Sequence, residues 1–169
     1  TGLTSIHIPS SVTSIGTQIF YKTSNLNTVY YDSYYSDKDN PFLNIPNIKK
    51  IVFGGNWIPP YILQSCVNIT EVEMLNVTSV GELAFSGCYN LEKVNIGSIE
   101  KWCSIKFPKF WPYPDCRASN PLLYAHNLYL NGSLVTDLVI PNGIKSISEY
   151  AFVGCSSLKS VTIPESLSY

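Results

Sequence analysis

The sequence predicts a β-rich solenoid, in which short coils of chain stack on one another and each coil adds one strand to a parallel sheet. The segment "LAFSGCYNLEKVNI" at 83–96 returns as "YAFVGCSSLKSVTI" at 150–163, with the Ala-Phe, the Gly-Cys and the spaced aliphatic residues kept. Aliphatic residues also recur along the chain at relative positions 1, 4 and 6 of a common unit. A repeating structural unit explains this duplication, because every copy must present the same apolar positions to its neighbours.

The copies of this unit define the domain. They start at Leu3, Leu26, Ile48, Ile69, Leu91, Val135 and Leu158. The intervals are 23, 22, 21, 22, 44 and 23 residues, so all but one are typical of leucine-rich repeats. We therefore expect the 169 residues to form one leucine-rich-repeat domain, with seven strands in one parallel sheet and an insertion over about 97–134. Because the chain stops in the middle of a coil after Pro164, we expect it to belong to a longer protein.

Within one unit, each element follows from local pattern. Ile6-His7-Ile8 alternates with the period of a strand, so Ile6 should point inward, as should Val72 and Val161 in later units. Proline after the strand suits a turn, since it has no N–H to donate to a ladder. A second apolar pair predicts a short extended, 3-10 or helical segment on the opposite wall. The Phe residues that follow this segment are Phe20, Phe85 and Phe152.

The insertion predicts a short helix and a hairpin. Within 98–107, Ile99, Trp102, Cys103 and Lys106 lie at helical spacing, and Ser98 can cap the helix. Three prolines between 108 and 114 then exclude regular structure. Farther on, Asn131-Gly132 stands between alternating apolar residues, which predicts a hairpin whose second arm runs into the strand of repeat six.

The cysteines fall into two groups. Cys66, Cys88 and Cys155 each precede a repeat start by three residues, which predicts a column of buried, unpaired thiols between stacked coils. Cys103 and Cys116 lie outside this register, in the irregular segment. Their separation of thirteen residues allows either a disulfide or two thiols, and both alternatives stay open.

Composition and motifs argue against several function classes. The net charge is −1, with 11 basic and 12 acidic residues, so no electrostatic footprint for nucleic acid or an anionic membrane is present. No apolar run approaches the ~20 residues of a membrane span. His7 and His126 are the only histidines, and neither has a motif partner. With no phosphate loop, GxSxG or HExxH, we predict no enzyme, no cofactor and no metal site.

Two clusters have both a functional and a structural interpretation. Oxygen ligands for calcium are available from Asp32, Asp37, Asp39 and Asn40. Their spacing does not match an EF-hand loop, so we favour a solvated excursion. The aromatic residues of the insertion suit a sugar-stacking or protein-docking platform, but we favour packing by Trp102 and Phe107 in the core. Phe110, Trp111 and Tyr113 would then cover its open flank, and Trp111 and Tyr113 are the alternative binding surface.

Three segments together carry a family resemblance. They are "LTSIHIPSSVTSIG", "ELAFSGCYNLEKVNI" and "LVIPNGIKSISEYAFVGCSSLKSVTIP". They resemble the BspA-like class of leucine-rich repeat, found in surface and secreted proteins of gut and oral bacteria and of some mucosal protists. The resemblance implies a protein at the cell surface or outside the cell, with a role in adhesion.

The outward positions of the strands predict where a partner binds, since the strands of a solenoid form one continuous wall. The central part of this wall has charges of both signs and suits a polar partner of no strong net charge. Its predicted binding residues are Tyr30, Lys50, Glu71, Glu73, Lys93 and Asn95. The partner would be a host protein, a second copy of this protein or a glycan. The competing interpretation is a purely structural spacer in a larger surface protein.

Overall fold

The computed structural model of the protein describes residues 2–16, 18–35, 40–108 and 119–167. These residues form the predicted leucine-rich-repeat solenoid, with parallel strands on one wall. Its strands are β1 (Ser5–Ile8), β2 (Thr28–Tyr31), β3 (Lys50–Phe53), β4 (Trp57–Ile58), β5 (Glu71–Met74), β6 (Ser79–Val80), β7 (Lys93–Ile96), β8 (Leu128–Leu130), β9 (Ser133–Leu134), β10 (Asp137–Val139) and β11 (Ser160–Thr162). Its helices are α1 (Ile99–Ser104) and α2 (Leu122–Ala125).

The main sheet pairs equivalent positions of successive repeats. Its order is β1-β2-β3-β5-β7-β8-β9, and every pair except the last is parallel. Val29 pairs with Ile51, Ile51 with Val72 and Val72 with Val94, and all four side chains are fully buried. The second wall carries the short parallel pair β4 and β6. The period of about 22 residues thus places one coil directly on the next.

The prediction of seven repeat strands in one parallel sheet is wrong at the insertion. Strand β8, from within the insertion, takes the sixth place in the main sheet. The hairpin at Asn131-Gly132 forms as predicted, and its second arm, β9, pairs antiparallel with β8. The prediction that this arm runs into the strand of repeat six is wrong, since β9 ends at Leu134 and β10 lies in another sheet. Because β9 occupies the free edge of β8, the strand of repeat six cannot join there. Strand β10 instead pairs with β11 in a separate parallel sheet.

The inward positions form one hydrophobic core, with an exception at the last strand. Leu138 and Ile140 of repeat six belong to the same buried cluster as Val29 and Val72. Ile6 in the first coil is partly buried. Val161, which was predicted to point inward to the core, is 50% exposed. It pairs with Leu138 on one side only, since β11 is the edge strand of its sheet in the described part of the chain.

The Phe residues that follow the second-wall segment lie six residues before the next repeat start, and we call the residues at this position the Phe column. The column continues through repeats that have no Ala-Phe motif. Phe20 and Phe85 are buried, whereas Phe152 is only partly buried. Phe42 occupies the corresponding position in the second coil, and its ring stacks on Phe20 with centroids 5.8 Å apart and planes 8° from parallel. Leu63 takes the same position in the third coil and is fully buried. The column therefore tolerates other large apolar side chains.

Two left-handed residues flank this column in most coils. The first lies two residues before the column position and the second two residues after it. The first set is Gln18, Tyr61, Leu83 and Tyr150, and the second is Lys22, Asn44, Ser65, Gly87 and Gly154. At Gly87, φ is +78°, and an added Cβ would lie 3.3 Å from the Ser65 backbone of the preceding coil. The glycine of the Gly-Cys motif thus permits both the turn and the close stacking of coils.

The helix of the insertion forms as predicted and contacts the following coil through Trp102. The Ser98 hydroxyl caps α1 by accepting a hydrogen bond from the Lys101 backbone N–H. Trp102 and Phe107 are buried against each other, with ring centroids 5.6 Å apart. Trp102 Nε1 donates to the Ala151 carbonyl at 2.9 Å, in the next repeat. This confirms that Trp102 and Phe107 pack in the core.

The cysteine column is confirmed at two of its three members. Cys66 and Cys88 are buried free thiols, whereas Cys155 is free but only partly buried. Cys103 is also a buried free thiol, and Cys116 lies outside the described residues. Burial raises the pKa of Cys66 and of Cys103 to about 11 and raises that of Cys88 further. A thiol with a raised pKa is mostly protonated at neutral pH and therefore unreactive.

Truncation of the Phe column should destabilise the protein most at its centre. We expect Phe85→Ala to lower the free energy of unfolding by about 3–5 kcal/mol, because the stacked coils cannot close the resulting void. Phe152→Ala should have a clearly smaller effect, since that ring is already partly exposed. Urea denaturation followed by circular dichroism measures both values. Equal losses at the two positions would contradict the described difference in burial.

Thiol labelling should separate the cysteines by burial. We expect iodoacetamide at pH 8 to modify Cys155 faster than Cys66, Cys88 or Cys103 in the native protein. All four should react rapidly once the chain is unfolded in urea. Peptide mass spectrometry at successive times gives the rate at each site. Rapid native labelling of Cys88 would show that the coils do not pack as described.

Candidate functional site

The outward side chains of the main sheet form two rows, which together we call the strand wall. In-register pairing sets each row, because equivalent residues of adjacent strands lie side by side. The first row contains Ser5, Thr28, Lys50, Glu71 and Lys93. The second row contains His7, Tyr30, Val52, Glu73, Asn95 and Tyr129. The outward residues of β10 and β11 belong to a separate sheet and do not continue these rows.

Four charged side chains at the centre of the strand wall form one network. Lys50 Nζ lies 2.6 Å from Glu73 Oε1 and 2.9 Å from Glu71 Oε1. Lys93 Nζ lies 3.2 Å from the same Glu71 oxygen. That oxygen is buried and has no well-aligned hydrogen bond among the described residues, so the two ammonium groups neutralise it as ion pairs. Two lysines and two glutamates give this charge network no net charge.

Burial and the neighbouring charges shift the pKa values of the network in opposite directions, and the effect of the charges is larger. Burial alone would lower the pKa of Lys50, but its hydrogen bond to Glu73 and the charge of Glu71 outweigh this effect, so the pKa is raised. Burial alone would raise the pKa of Glu71, but Lys50 and Lys93 outweigh it, so the pKa is lowered. Both groups are therefore held in their charged forms at neutral pH.

Tyrosine rings lie on both sides of the charge network. Tyr30 is 45% exposed on β2 and belongs to the second row. Tyr129 on β8 is partly buried, and Lys93 Nζ lies 4.8 Å from the centroid of its ring, a cation–π contact. Sequence reasoning missed Tyr129, because it did not assign β8 to the sheet. The hairpin signal at Asn131-Gly132 was the available evidence for a strand at this position.

Asn95 lies on the strand wall as predicted, but it is not available to a partner. Its side chain is only 6% exposed, and its Oδ1 accepts a hydrogen bond from the Gly132 N–H at 2.8 Å. The tip of the hairpin thus covers Asn95. Its role is to hold the hairpin on the sheet, which removes it from the predicted binding residues. Tyr30, Lys50, Glu71, Glu73 and Lys93 stay as candidates.

The two histidines have structural partners elsewhere in the solenoid. His7 Nε2 lies 2.7 Å from the Asp32 Oδ2 atom, which joins the first coil to the second at the end of the strand wall. His126 has a left-handed backbone, and its Nδ1 donates to the Gly154 carbonyl at 2.8 Å. Both histidines therefore link adjacent parts of the solenoid.

The described residues of the acidic run have other partners. Asp32 pairs with His7, and Asn40 Nδ2 donates to the Gln64 carbonyl at 2.8 Å. Asp37 and Asp39 lie outside the described residues. In the part of the chain that is described, no three His, Cys, Asp or Glu side chains are grouped so that they could hold a metal ion.

The alternative binding surface that the sequence predicts lies outside the described residues. Phe110, Trp111 and Tyr113 lie outside the described residues, so the predicted secondary surface at Trp111 and Tyr113 stays a prediction. None of the helices within 2–16, 18–35, 40–108 and 119–167 is both long enough and apolar enough to cross a membrane.

Comparison with known proteins agrees with this architecture. The stacked coils and in-register rows define a solenoid of the leucine-rich-repeat class. The family model described as "BspA type Leucine rich repeat region" matches residues 1–109 and 125–169 in six copies, so the chain belongs to this family. The second matched range begins at Ala125, three residues before β8. The comparison with curated proteins finds no match.

Two crystal structures are similar to the chain over nearly its whole length. One is a leucine-rich repeat protein from Bacteroides ovatus, with 22% identity, a TM-score of 0.41 and coverage of 99% of this chain and 33% of that one. The other is a leucine rich cell surface protein from Faecalibacterium prausnitzii, with 22% identity, a TM-score of 0.34 and coverage of 95% and 38%. The chain thus spans about a third of the length of each protein.

The charge network should stabilise the protein between mildly acidic and alkaline pH. Glu71 has a lowered pKa, so its contribution is present above the unfolded value near 4.5 and is lost as the pH falls through the folded value. Lys50 has a raised pKa, so its contribution is present below 10.5 and is lost as the pH rises through the folded value.

The corresponding experiment compares Glu71→Gln with the parent. We expect a loss of up to about 1 kcal/mol in the free energy of unfolding at pH 7, because the network is partly exposed. This loss should shrink toward pH 3. Urea denaturation at each pH gives the difference, with Glu92→Gln, an exposed carboxylate outside the network, as the control. A loss at pH 3 as large as that at pH 7 would contradict the assignment.

Proposed function

We propose that this chain is a non-enzymatic recognition module, at the cell surface or secreted, that binds a protein partner through the strand wall. The binding residues would be Tyr30, Lys50, Glu71, Glu73 and Lys93. The observation that carries the proposal is the charge network beside an exposed tyrosine on a rigid sheet. Membership of the BspA type of leucine-rich repeat supports both the module and its location.

The side chains of the strand wall are already ordered in the free chain, which reduces the entropy that binding would cost. The ion pairs hold Lys50 and Glu73 in position, so little side-chain entropy is lost when a partner docks. Tyr30 supplies a large, amphipathic contact with few rotatable bonds, a residue type enriched at energetically important positions of protein interfaces. The balanced charges select a partner with complementary polar groups rather than a strongly charged one. A glycan or a second copy of the chain would be a different outcome of the same experiment.

The spacer interpretation is supported by the same network. Each charge at the centre of the strand wall is already neutralised within the chain, so the wall needs no partner to satisfy it. A spacer requires only that consecutive coils stack. Tyr30 distinguishes the two functions, because a ring that is 45% exposed adds little to stacking but much to an interface.

Binding should depend on Tyr30. We screen the immobilised domain against host extracellular-matrix proteins, glycans and the domain itself. We expect a protein partner, whose affinity Tyr30→Ala weakens by about tenfold or more. The combined variant with Glu73→Ala and Lys93→Ala should weaken it further. Tyr21→Ala is the matched control, since Tyr21 is 65% exposed and lies in a turn rather than on a strand. Surface plasmon resonance measures each dissociation constant.

Two results would oppose the proposal. A partner that bound the triple variant as tightly as the parent would place the interface elsewhere, and Trp111 and Tyr113 would be examined next. A domain that bound none of the proteins, glycans or copies of itself would support the spacer function.

A further inference from the structure

A second exposed surface lies beyond the ends of the strands and is separate from the strand wall. Tyr34 follows β2 by three residues, and Trp57 begins β4 on the second wall. Their rings stack with centroids 6.3 Å apart and planes 16° from parallel. Tyr34 is 53% exposed, and its hydroxyl donates to Asn56 Oδ1 at 3.3 Å. An exposed tyrosine is therefore fixed on one face by Trp57 and at its tip by an amide.

The other side of Tyr34 borders a recess. This recess has a volume of about 480 Å³ and is lined by Ser10, Val12, Thr13, Tyr34 and Tyr35. Trp57 belongs to the third coil, whereas Ser10, Val12 and Thr13 belong to the first. Because Tyr34 lies between them in the second coil, the ring face away from Trp57 is turned toward the recess. The volume lies within the range of small-molecule sites, about 300–1,000 Å³.

A buried serine holds the two sides of the recess together. Ser33 is 1% exposed, and its hydroxyl donates to the Val12 carbonyl at 2.7 Å. The same oxygen accepts a hydrogen bond from the Tyr35 N–H at 3.0 Å. The Tyr31 hydroxyl donates to the Tyr35 carbonyl at 2.9 Å. These hydrogen bonds join the first coil to the second next to the recess.

The chemistry of the lining identifies the class of ligand. The described residues that line the recess are uncharged, so the polar groups that they offer a ligand are hydroxyl and backbone groups. One side is an aromatic face, whose negative quadrupole attracts the polarised C–H groups of a pyranose ring. The other side presents the hydroxyl-bearing residues Ser10 and Thr13, both exposed, which can exchange hydrogen bonds with sugar hydroxyls.

We infer that the recess between Thr13 and the stacked Tyr34–Trp57 pair is a binding subsite for a neutral hexose unit of a glycan. The sugar ring lies on Tyr34, and its hydroxyl groups contact Ser10 and Thr13. Trp57 and Asn56 act as positioning residues that keep the Tyr34 ring in place. This subsite is independent of the proposed protein interface, because the two surfaces share no residue.

The experiment uses the parent domain and an array of neutral oligosaccharides of glucose, galactose, mannose and their N-acetyl derivatives, with sialylated oligosaccharides as acidic counterparts. We expect binding to neutral members, which isothermal titration calorimetry then quantifies. Tyr34→Ala should weaken the affinity by about tenfold or more, and Tyr34→Phe, which keeps the ring, should change it by less than about threefold. Tyr89→Ala is the control, since Tyr89 is 74% exposed at another site.

A second variant keeps the test decisive if Tyr34→Ala does not fold. Thr13→Val keeps the shape of an exposed side chain but removes its hydroxyl, and we expect it to weaken binding by about threefold or more without changing the unfolding midpoint. Three results would each overturn the inference. They are no binding to any neutral saccharide at about 10 mM, binding restricted to acidic saccharides, and binding unchanged in both Tyr34→Ala and Thr13→Val.

Discussion

The in-register pairing of parallel strands is the constraint on which the rest of the structure depends. Because equivalent positions lie side by side, each position of the repeat becomes a row across the sheet. The inward rows give the core of Val29, Ile51, Val72 and Val94. The outward rows bring Lys50 against Glu71, although 21 residues separate them in the sequence. A slip of one residue would turn the charges into the core, so burial and the charge network specify the same register.

Periodicity predicts most of this fold, and it fails where the period is broken. Aliphatic residues at positions 1, 4 and 6 predicted strands β1, β2, β3, β5, β7, β10 and β11, and local signals predicted α1 and the hairpin. They did not assign β8 to the sheet, although Ala125, Leu128 and Leu130 occupy these three positions. This repeat unit was not recognised for two reasons. Its first position is the small Ala125 instead of a larger aliphatic residue, and it starts 34 residues after Leu91 instead of about 22. The same event explains the separate β10–β11 sheet, because β9 closes the edge that β10 would need.

The candidate sites differ in how far sequence could predict them. Alternation assigns the outward residues of a strand, so Tyr30, Lys50, Glu71, Glu73 and Lys93 were found by counting. Contacts between coils can be seen only from the positions of the side chains. Alternation along β7 therefore could not show that the tip of the hairpin covers Asn95. Beyond the strand ends alternation no longer fixes direction. Asp32 of the His7–Asp32 pair and Tyr34 of the Tyr34–Trp57 stack both follow the end of β2, and each contact joins residues about one coil apart.

The neutrality of the strand wall restricts the kind of recognition it can support. A surface with unpaired charges attracts an opposite partner over a distance, and salt weakens that attraction. Here Lys50 and Lys93 are already paired with Glu71 and Glu73, so the wall offers little long-range steering. Any partner must be selected at short range, by the shape of the sheet, by directed hydrogen bonds and by aromatic contact. Tyr30 on this wall and Tyr34 on the adjoining face are exposed rings that could provide such contact, the first to the proposed protein partner and the second to the proposed sugar ring.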